Sequence, residues 1–158
     1  MDVDYVEYRR KKQVEGEAFQ DYVENVLKKM WGFRLSCYKT KEEQYKIGEI
    51  KFGKEIKLDN SFRDSMRLWI EIAEKAMPRE GDFAKSGIYR DDNAWLYLIG
   101  DYDMFYIYSK NMLQLLHRSH CYEEYENETS RCFFLPFRDA LNYAALVVDP
   151  NKMTSRFG

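Results

Sequence analysis

Apolar residues near the start of the chain recur at the spacing of an α-helix. The segment GEAFQDYVENVLKKMWGF places its apolar positions on one face, at Phe19, Val23, Val26, Leu27 and Met30. Gly32 follows the last of these positions, where a glycine commonly ends a helix. The pattern predicts a helix from about Gly16 to Gly32 that buries this apolar stripe.

The pattern then changes to the alternation that is typical of β-strands. RLSCYKT (34–40) predicts a short strand, and Gly53-Lys54 lies between two alternating runs, which predicts a tight hairpin or a bulge. In the second run Ile56 and Leu58 face one way, whereas Glu55, Lys57 and Asp59 face the other. This strand therefore presents its charged groups on one face.

The run RLWIEIAEK predicts the next strand and repeats this arrangement. Leu68, Ile70 and Ile72 share one face. The opposite face carries Trp69, Glu71, Ala73 and Lys75. If the two runs pair, their charged faces meet, and this is the main candidate for a functional site.

The remaining elements complete a mixed architecture. AWLYLIG and MFYIYS are apolar on both faces, as expected of buried central strands, and Ser109 can cap a helix over KNMLQLLHRSH. CFFLPF and ALVVD predict further strands around a short helix, RDALNY. The order predicts one α/β (α+β) domain over residues 1–158, with helices flanking a mixed sheet. Residues 1–12 are expected to form a terminal arm, and residues 118–158 a C-terminal extension of the core.

Composition and charge restrict the function classes. Apolar residues make up 45% and charged residues 33% of the chain, which is typical of globular proteins. A formal net charge of -2 argues against non-specific coating of nucleic acid. The basic run Arg9 to Lys12 favours a solvated arm over a phosphate clamp. No segment resembles a signal peptide or a membrane span, so we expect a cytoplasmic protein with free thiols at its three cysteines.

A leading helix, a hairpin that ends in Asp59 and a following strand that carries Glu71 and then a lysine resemble the PD-(D/E)XK nuclease superfamily. This superfamily includes type II restriction enzymes and archaeal-type Holliday junction resolvases. The resemblance covers Gly16 to His117 and implies a restriction-endonuclease-like fold. It implies that Asp59 and Glu71 bind Mg²⁺, for which Mn²⁺ can substitute.

The resemblance also assigns the supporting positions. The position of the family's lysine is occupied by Ala73, so Lys75 or Lys57 is expected to supply the ammonium group. The acid of the family's first helix falls near Gln20, with Asp21 or Glu24 as substitutes, and Glu55 joins this outer shell.

General chemistry supports the same site. Mg²⁺ prefers hard oxygen ligands, and two carboxylates with the main-chain carbonyl of Ile72 would give a partial shell. Such an ion stabilises charge on a phosphate and lowers the pKa of bound water. The alternative is structural: Asp59 ends a strand and starts a turn beside Asn60, while Glu71 pairs with Lys57 across the sheet.

Metal-dependent hydrolysis of DNA phosphodiesters is the predicted function, and the apolar C-terminal strands could form a homodimer. A non-catalytic protein of the same fold that binds a protein or nucleic acid partner is the alternative, favoured by Ala73 and Gln20. A zinc-stabilised interaction module is a third reading, with His117, His120, Cys121 and Cys132 as candidate ligands. Lys85 and Ser86 are assigned to a plain loop rather than to a phosphate contact.

Overall fold

The computed structural model describes residues 3–31, 53–79, 81–92 and 94–152. The strand predicted at 34–40 and the first arm of the hairpin predicted before Gly53 lie outside the described residues. Four α-helices are described: α1 (Val3–Trp31), α2 (Phe62–Ser65), α3 (Lys110–Arg118) and α4 (Phe137–Tyr143). A 3₁₀ turn covers Gly87–Tyr89. None of these helices combines the length and apolarity that a membrane crossing needs.

The strands form two sheets of four strands each. Sheet A has the order β1-β4-β5-β8, from β1 (Lys54–Leu58), β4 (Leu96–Gly100), β5 (Phe105–Ser109) and β8 (Leu146–Val148). In it β1 runs parallel to β4, and the other pairs are antiparallel. Sheet B is antiparallel with the order β3-β2-β7-β6, from β3 (Ala84–Lys85), β2 (Arg67–Glu74), β7 (Ser130–Pro136) and β6 (Glu124–Glu126). The predicted mixed α+β class is confirmed, although two sheets replace the single predicted sheet.

Two hydrophobic clusters hold these layers together. One face of sheet A packs against the predicted stripe of α1, where Phe19, Val23 and Leu27 are buried with Ile56 and Leu98. The other face of sheet A carries tyrosines that share a core with sheet B, α3 and α4. Because β4 is apolar on both faces, it can serve both clusters, as its sequence predicts.

Several segments differ from their predictions. Helix α1 begins at Val3, so most of the predicted arm at 1–12 is helical, and Arg9 Nη1 donates to the carbonyl of Ala76 at 2.9 Å. The C-terminal residues are more than an extension, because β7 pairs with β2 at the centre of sheet B. Periodicity missed the first turns of α1 because they bury little apolar surface.

The predicted pairing of the two acid-bearing strands is wrong. The strand with Glu55, Lys57 and Asp59 is β1 of sheet A, whereas the strand with Glu71 is β2 of sheet B. The link between these two strands, residues 59–66, forms α2 and a turn at Met66, whose φ is 56°. The charged groups nevertheless approach each other across the boundary between the sheets.

Candidate functional site

A cleft of about 1340 Å³ lies between the N-terminal half of α1, the end of β1 and the outer face of β2. Its charged lining residues are Arg9, Arg10, Lys12, Glu15, Glu17, Lys57, Asp59, Glu71, Glu74, Lys75 and Arg90. The cleft therefore brings the predicted catalytic residues Asp59, Glu71, Lys57 and Lys75 to one surface. The basic run that the sequence assigned to a solvated arm lies on the opposite wall.

Lys57 lines this cleft and joins two carboxylates, those of Glu71 in the lining and of the buried Glu55. Its Nζ lies 3.3 Å from Glu55 Oε1 and 3.3 Å from Glu71 Oε2. Glu55 and Lys57 share one face of β1, as the alternation predicts, and Glu71 comes from the other sheet. The pairing of Lys57 with Glu71 that the structural alternative predicted is present, but it links two sheets instead of two paired strands.

The charge states in this cluster follow from burial and from its ion pairs. Burial alone would lower the pKa of Lys57, but the carboxylates of Glu71 and Glu55 outweigh it and raise that pKa above its usual value. Burial alone would raise the pKa of Glu55, but Lys57 and Lys110 outweigh it and lower that pKa. Lys57 is therefore a cation and Glu55 an anion at neutral pH.

Behind Glu55 lies a second lysine that the sequence did not single out. Lys110 Nζ is 3.2 Å from Glu55 Oε2 and donates to Asp92 Oδ1 at 2.9 Å. The side chains of Lys110 and Asp92 are only 6% and 2% exposed. The sequence did contain a sign that Lys110 has a charged partner. Lys110 is the first residue of helix α3, where a cation is unfavourable next to the positive end of the helix dipole unless an anion compensates it.

Asp59 is held by its own segment of chain. Its Oδ1 accepts hydrogen bonds from the main-chain nitrogen of Ser61 at 3.0 Å and from Ser61 Oγ at 2.7 Å. Its Oδ2 accepts from the nitrogen of Trp69 at 2.9 Å. These bonds form the turn that the structural alternative predicted and attach the end of β1 to the start of β2.

Glu71 also contacts Ser86, in the segment that the sequence analysis assigned to a plain loop. Ser86 is buried, its Oγ donates to Glu71 Oε2 at 2.7 Å, and its nitrogen donates to the carbonyl of Ile72 at 3.2 Å. Gly87 permits this approach, because a Cβ at that residue would lie 2.1 Å from the carbonyl oxygen of Glu71. The carbonyl of Ile72, predicted as a metal ligand, is thus already a hydrogen-bond acceptor.

The two candidate lysines occupy different surroundings. A β-bulge between Glu71 and Ala73 shifts the register of β2, and Lys75 follows the last residue of the strand. The ammonium group of Lys75 lies 4.5 Å from the ring centre of Phe83. Lys75 lines the cleft, but the contacts described above bring Lys57 to Glu71.

The predicted outer shell divides in a similar way. Gln20 lines the cleft, and its Oε1 is buried without a hydrogen-bond partner among the described residues. Glu24 instead lies 3.7 Å from the buried Nζ of Lys54. Both carboxylate oxygens of Glu55 are buried, and each has an ammonium group beside it, Lys57 at 3.3 Å from Oε1 and Lys110 at 3.2 Å from Oε2.

These acceptors test whether a metal fits the site. Buried oxygens without donors are costly, and a hard cation is one group that would satisfy them. Gln20 Oε1 is a cleft-lining acceptor that such a cation would satisfy, and Glu71 lines the same cleft. Within residues 3–31, 53–79, 81–92 and 94–152, however, no group of three or more His, Cys, Asp or Glu side chains is already arranged to hold a metal. The metal site therefore stays a prediction.

The candidate zinc ligands have other partners. His117 Nδ1 lies 2.6 Å from the hydroxyl of Tyr89, and its Nε2 forms a short hydrogen bond with Glu124. Cys121 is exposed, whereas Cys132 is buried in β7. The structure does not gather these groups into the predicted zinc site.

Compared with known proteins, the chain matches no protein-family model, no curated protein and no solved structure. The resemblance to the PD-(D/E)XK superfamily stays a prediction. The same holds for the DNA partner, the homodimer and the cytoplasmic location.

Proposed function

We propose that the cleft binds DNA and hydrolyses a phosphodiester bond with Mg²⁺, for which Mn²⁺ can substitute. The observation that carries this proposal is the acid–lysine–acid cluster of Glu55, Lys57 and Glu71, of which Lys57 and Glu71 line the cleft and Glu55 lies buried behind them. A solvated surface ion pair would need no cleft and would leave no buried acceptor unsatisfied.

The acidic side chains divide into ligands and supports. Glu71 and Asp59 line the cleft and would hold the ion, and Gln20 offers a buried oxygen without a donor among the described residues, while Glu55 helps to hold Lys57 in place. Asp59 Oδ2 accepts only one such bond in the described structure, which leaves it capacity for a further partner. When bound, Mg²⁺ would supply Lewis acidity and lower the pKa of a coordinated water.

Lys57 has an electrostatic role in this proposal. Because the neighbouring carboxylates raise its pKa, it keeps its proton at neutral pH and cannot act as a general base. A fixed ammonium group beside the metal ligands stabilises the negative charge that develops on a phosphate during attack. The lysine thus assists the reaction by its charge, and its pairing with Glu71 keeps it in place.

The opposite wall would position the nucleic acid backbone. Arg9, Arg10 and Lys12 line the cleft from the exposed half of α1. Most hydrogen bonds between proteins and DNA go to phosphate and sugar, and basic side chains supply many of them. Glu15, which lies 3.8 Å from Lys12, and Glu17 also line this wall, so Arg9 and Arg10 supply its excess of positive charge.

Cleavage of single-stranded, duplex and branched DNA in Mg²⁺ or Mn²⁺ tests the proposal. We expect activity in the wild type and a loss of about a hundredfold or more in Glu71→Gln and in Lys57→Met, as when a group that stabilises transition-state charge is removed. Glu126→Gln is the matched control, because Glu126 pairs with Arg131 on the surface and does not line the cleft. Inactivity of the wild type on all three substrates with both metals would contradict the proposal.

A second candidate is a non-catalytic protein that binds nucleic acid in the same cleft. The hydrogen bonds to Asp59 and to the carbonyl of Ile72 favour it, since both predicted ligands already serve the fold. Calorimetry separates the two functions. Millimolar Mg²⁺ or Mn²⁺ raises the melting temperature if a metal site exists, and Glu71→Gln removes that rise. Binding of DNA without any metal-dependent rise would favour the second candidate.

A further inference from the structure

Three aromatic rings and an arginine form a continuous patch beside the cleft. The ring centre of Trp69 lies 5.6 Å from that of Phe134 and 5.5 Å from that of Tyr125. The rings of Tyr125 and Phe134 are 6.0 Å apart, and the guanidinium of Arg67 lies 3.6 Å from the ring centre of Phe134. We call these four residues the aromatic platform.

The register of sheet B places the platform on the face that carries Glu71. Trp69 is opposite Phe134, and Cys132 is opposite both Glu71 and Tyr125. Opposed residues of antiparallel strands point to the same side of a sheet. The platform and Glu71 therefore belong to one surface, the outer face of sheet B.

The platform is separate from the hydrophobic core. Leu68, Ile70 and Phe133, which alternate with the platform residues along β2 and β7, form the buried side of sheet B. Tyr125 is 47% exposed, and Trp69 and Phe134 are partly exposed. Aromatic side chains that face outward in a group are typical of binding surfaces rather than of core packing.

The platform also adjoins the proposed site. Trp69 lines the cleft and lies two residues before Glu71, which is about 6.6–6.8 Å along an extended strand. This spacing equals about two stacked bases, which are roughly 3.4 Å apart. A strand whose phosphate lies at Glu71 would thus reach the platform with its next bases.

Charges of both signs surround the platform. Arg67 belongs to the platform, and the basic wall of α1 faces it across the cleft. Glu124 and Glu126 of β6 are opposite Phe133 and Arg131, so they point to the other face of the sheet. Glu123, which directly precedes β6, does place a carboxylate at the platform: its Oε2 lies 3.6 Å from Arg67 Nη1, in an ion pair whose side chains are 41% and 71% exposed.

We propose that the aromatic platform binds the bases of an unpaired nucleic acid strand by stacking, next to the phosphate site. This inference rests on the proposed function of the cleft and extends it to a substrate class. Every base has a face that stacks on an aromatic ring, and the arginine adds a cation–π contact. The bases of a closed duplex are stacked on one another, so the platform selects single-stranded segments.

Fluorescence anisotropy with labelled oligo(dT) and with a duplex of matched length, both in EDTA to prevent cleavage, tests this inference. We expect the wild type to bind oligo(dT) more tightly than the duplex. Trp69→Leu weakens oligo(dT) binding by about tenfold or more, in the range of one lost stacking contact, whereas Trp69→Phe keeps most of the affinity. Trp95→Leu is the matched control, because Trp95 is an exposed tryptophan that does not line the cleft.

Salt dependence separates stacking from phosphate contacts. Loss of Trp69 lowers affinity without changing the slope of log K against log salt, whereas loss of Arg10 reduces that slope by about one. Tyr125→Ser provides a second variant that an exposed position tolerates, in case Trp69→Leu unfolds. We expect it to weaken oligo(dT) binding as well.

The outcomes distinguish this inference from the proposed function. Failure of Trp69→Leu and Tyr125→Ser to weaken oligo(dT) binding overturns the platform, even if the protein cleaves DNA. Equal or tighter binding of the duplex, or no binding of oligo(dT), also overturns it. Platform-dependent binding in a protein that cleaves nothing supports the platform and contradicts the nuclease.

Discussion

Asp59 and Glu55 are buried carboxylates on one face of the same segment, and they are held in opposite ways. Asp59 accepts three hydrogen bonds from Ser61 and Trp69, all from donors of the adjoining chain. Glu55 instead has a lysine ammonium group beside each oxygen, Lys57 at 3.3 Å and Lys110 at 3.2 Å. The hydrogen bonds to Asp59 fix a turn of the main chain. The ion pairs of Glu55 join flexible side chains, which a bound ligand can move. The comparison indicates that burial and sequence spacing alone do not separate a structural acid from a functional one.

The largest expected effect comes from the charges behind Glu55. Lys110→Met leaves Asp92 and Glu55 buried with one cation fewer, and loss of one partner of a buried ion pair costs about 3–5 kcal/mol. Urea unfolding measures this loss as a lower midpoint with an unchanged slope. Adding Asp92→Asn to Lys110→Met restores part of the stability, because it removes one uncompensated charge.

The control for Lys110 is an exposed ion pair. Arg131→Met breaks the pair of Arg131 with Glu126, whose side chains are 40% and 49% exposed, and we expect a cost of about 1 kcal/mol or less. A loss for Lys110→Met no larger than that for Arg131→Met would show that the buried cluster contributes no more than a surface pair.

The second prediction concerns the Asp59 side of the comparison. Asp59→Ala leaves three donors without their acceptor, and we expect a loss of about 2–4 kcal/mol in the free energy of unfolding. Asp59→Asn keeps one oxygen and should lose less. The neighbouring Asn60→Ala is the control, because Asn60 is exposed and its replacement should change stability by only about 0.5 kcal/mol. Equal losses for Asp59→Ala and Asn60→Ala would contradict the structural role.

The strands of this protein could be predicted from sequence because their signals are local. The alternation of apolar and polar residues predicted β1 and β2, and the continuous apolar runs predicted β4 and β5. Ser109 was predicted to cap α3, and its Oγ accepts a hydrogen bond from the nitrogen of Met112. Each of these signals depends on neighbours within a few residues. Agreement at this level is therefore expected even when the arrangement of the sheets is not.

The partners of the strands could not be predicted in the same way. β1 could pair with β2, which follows it closely in sequence, or with β4, which lies about 40 residues further on, and the local pattern of neither strand decides between them. The contacts of Glu71 with Ser86 and of Glu55 with Lys110 depend on that choice. The sequence thus identified Lys57, Asp59 and Glu71 but missed the residues that come from the loop before β4 and from α3.

The smallest expected effect is a change in how stability depends on pH. The folded pKa of Glu55 lies below its usual value of 4.5, because Lys57 and Lys110 together outweigh the effect of burial. The stabilisation from this carboxylate is therefore complete above pH 4.5 and is lost as the pH falls through the lowered folded pKa. Glu55→Gln should reduce the loss of stability on acidification, which urea titrations at a series of pH values measure. At neutral pH Glu55→Gln should lower the free energy of unfolding by less than Lys110→Met does. In the Glu55 variant Lys110 is still paired with Asp92, and Lys57 is still paired with Glu71.

Asp101 provides the comparison that makes this result interpretable. Burial alone would raise the pKa of Asp101, but hydrogen bonds from Arg63 and the nitrogens of Met104 and Asp103 lower it. Asp101→Asn should therefore also reduce the acid-induced loss, and the two effects should add because the groups share no partner. If Glu55→Gln leaves the loss of stability on acidification unchanged while Asp101→Asn reduces it, the lysines do not hold Glu55 as an anion. Glu55 would then resemble an ordinary buried acid, and the contrast with Asp59 would lose its functional meaning.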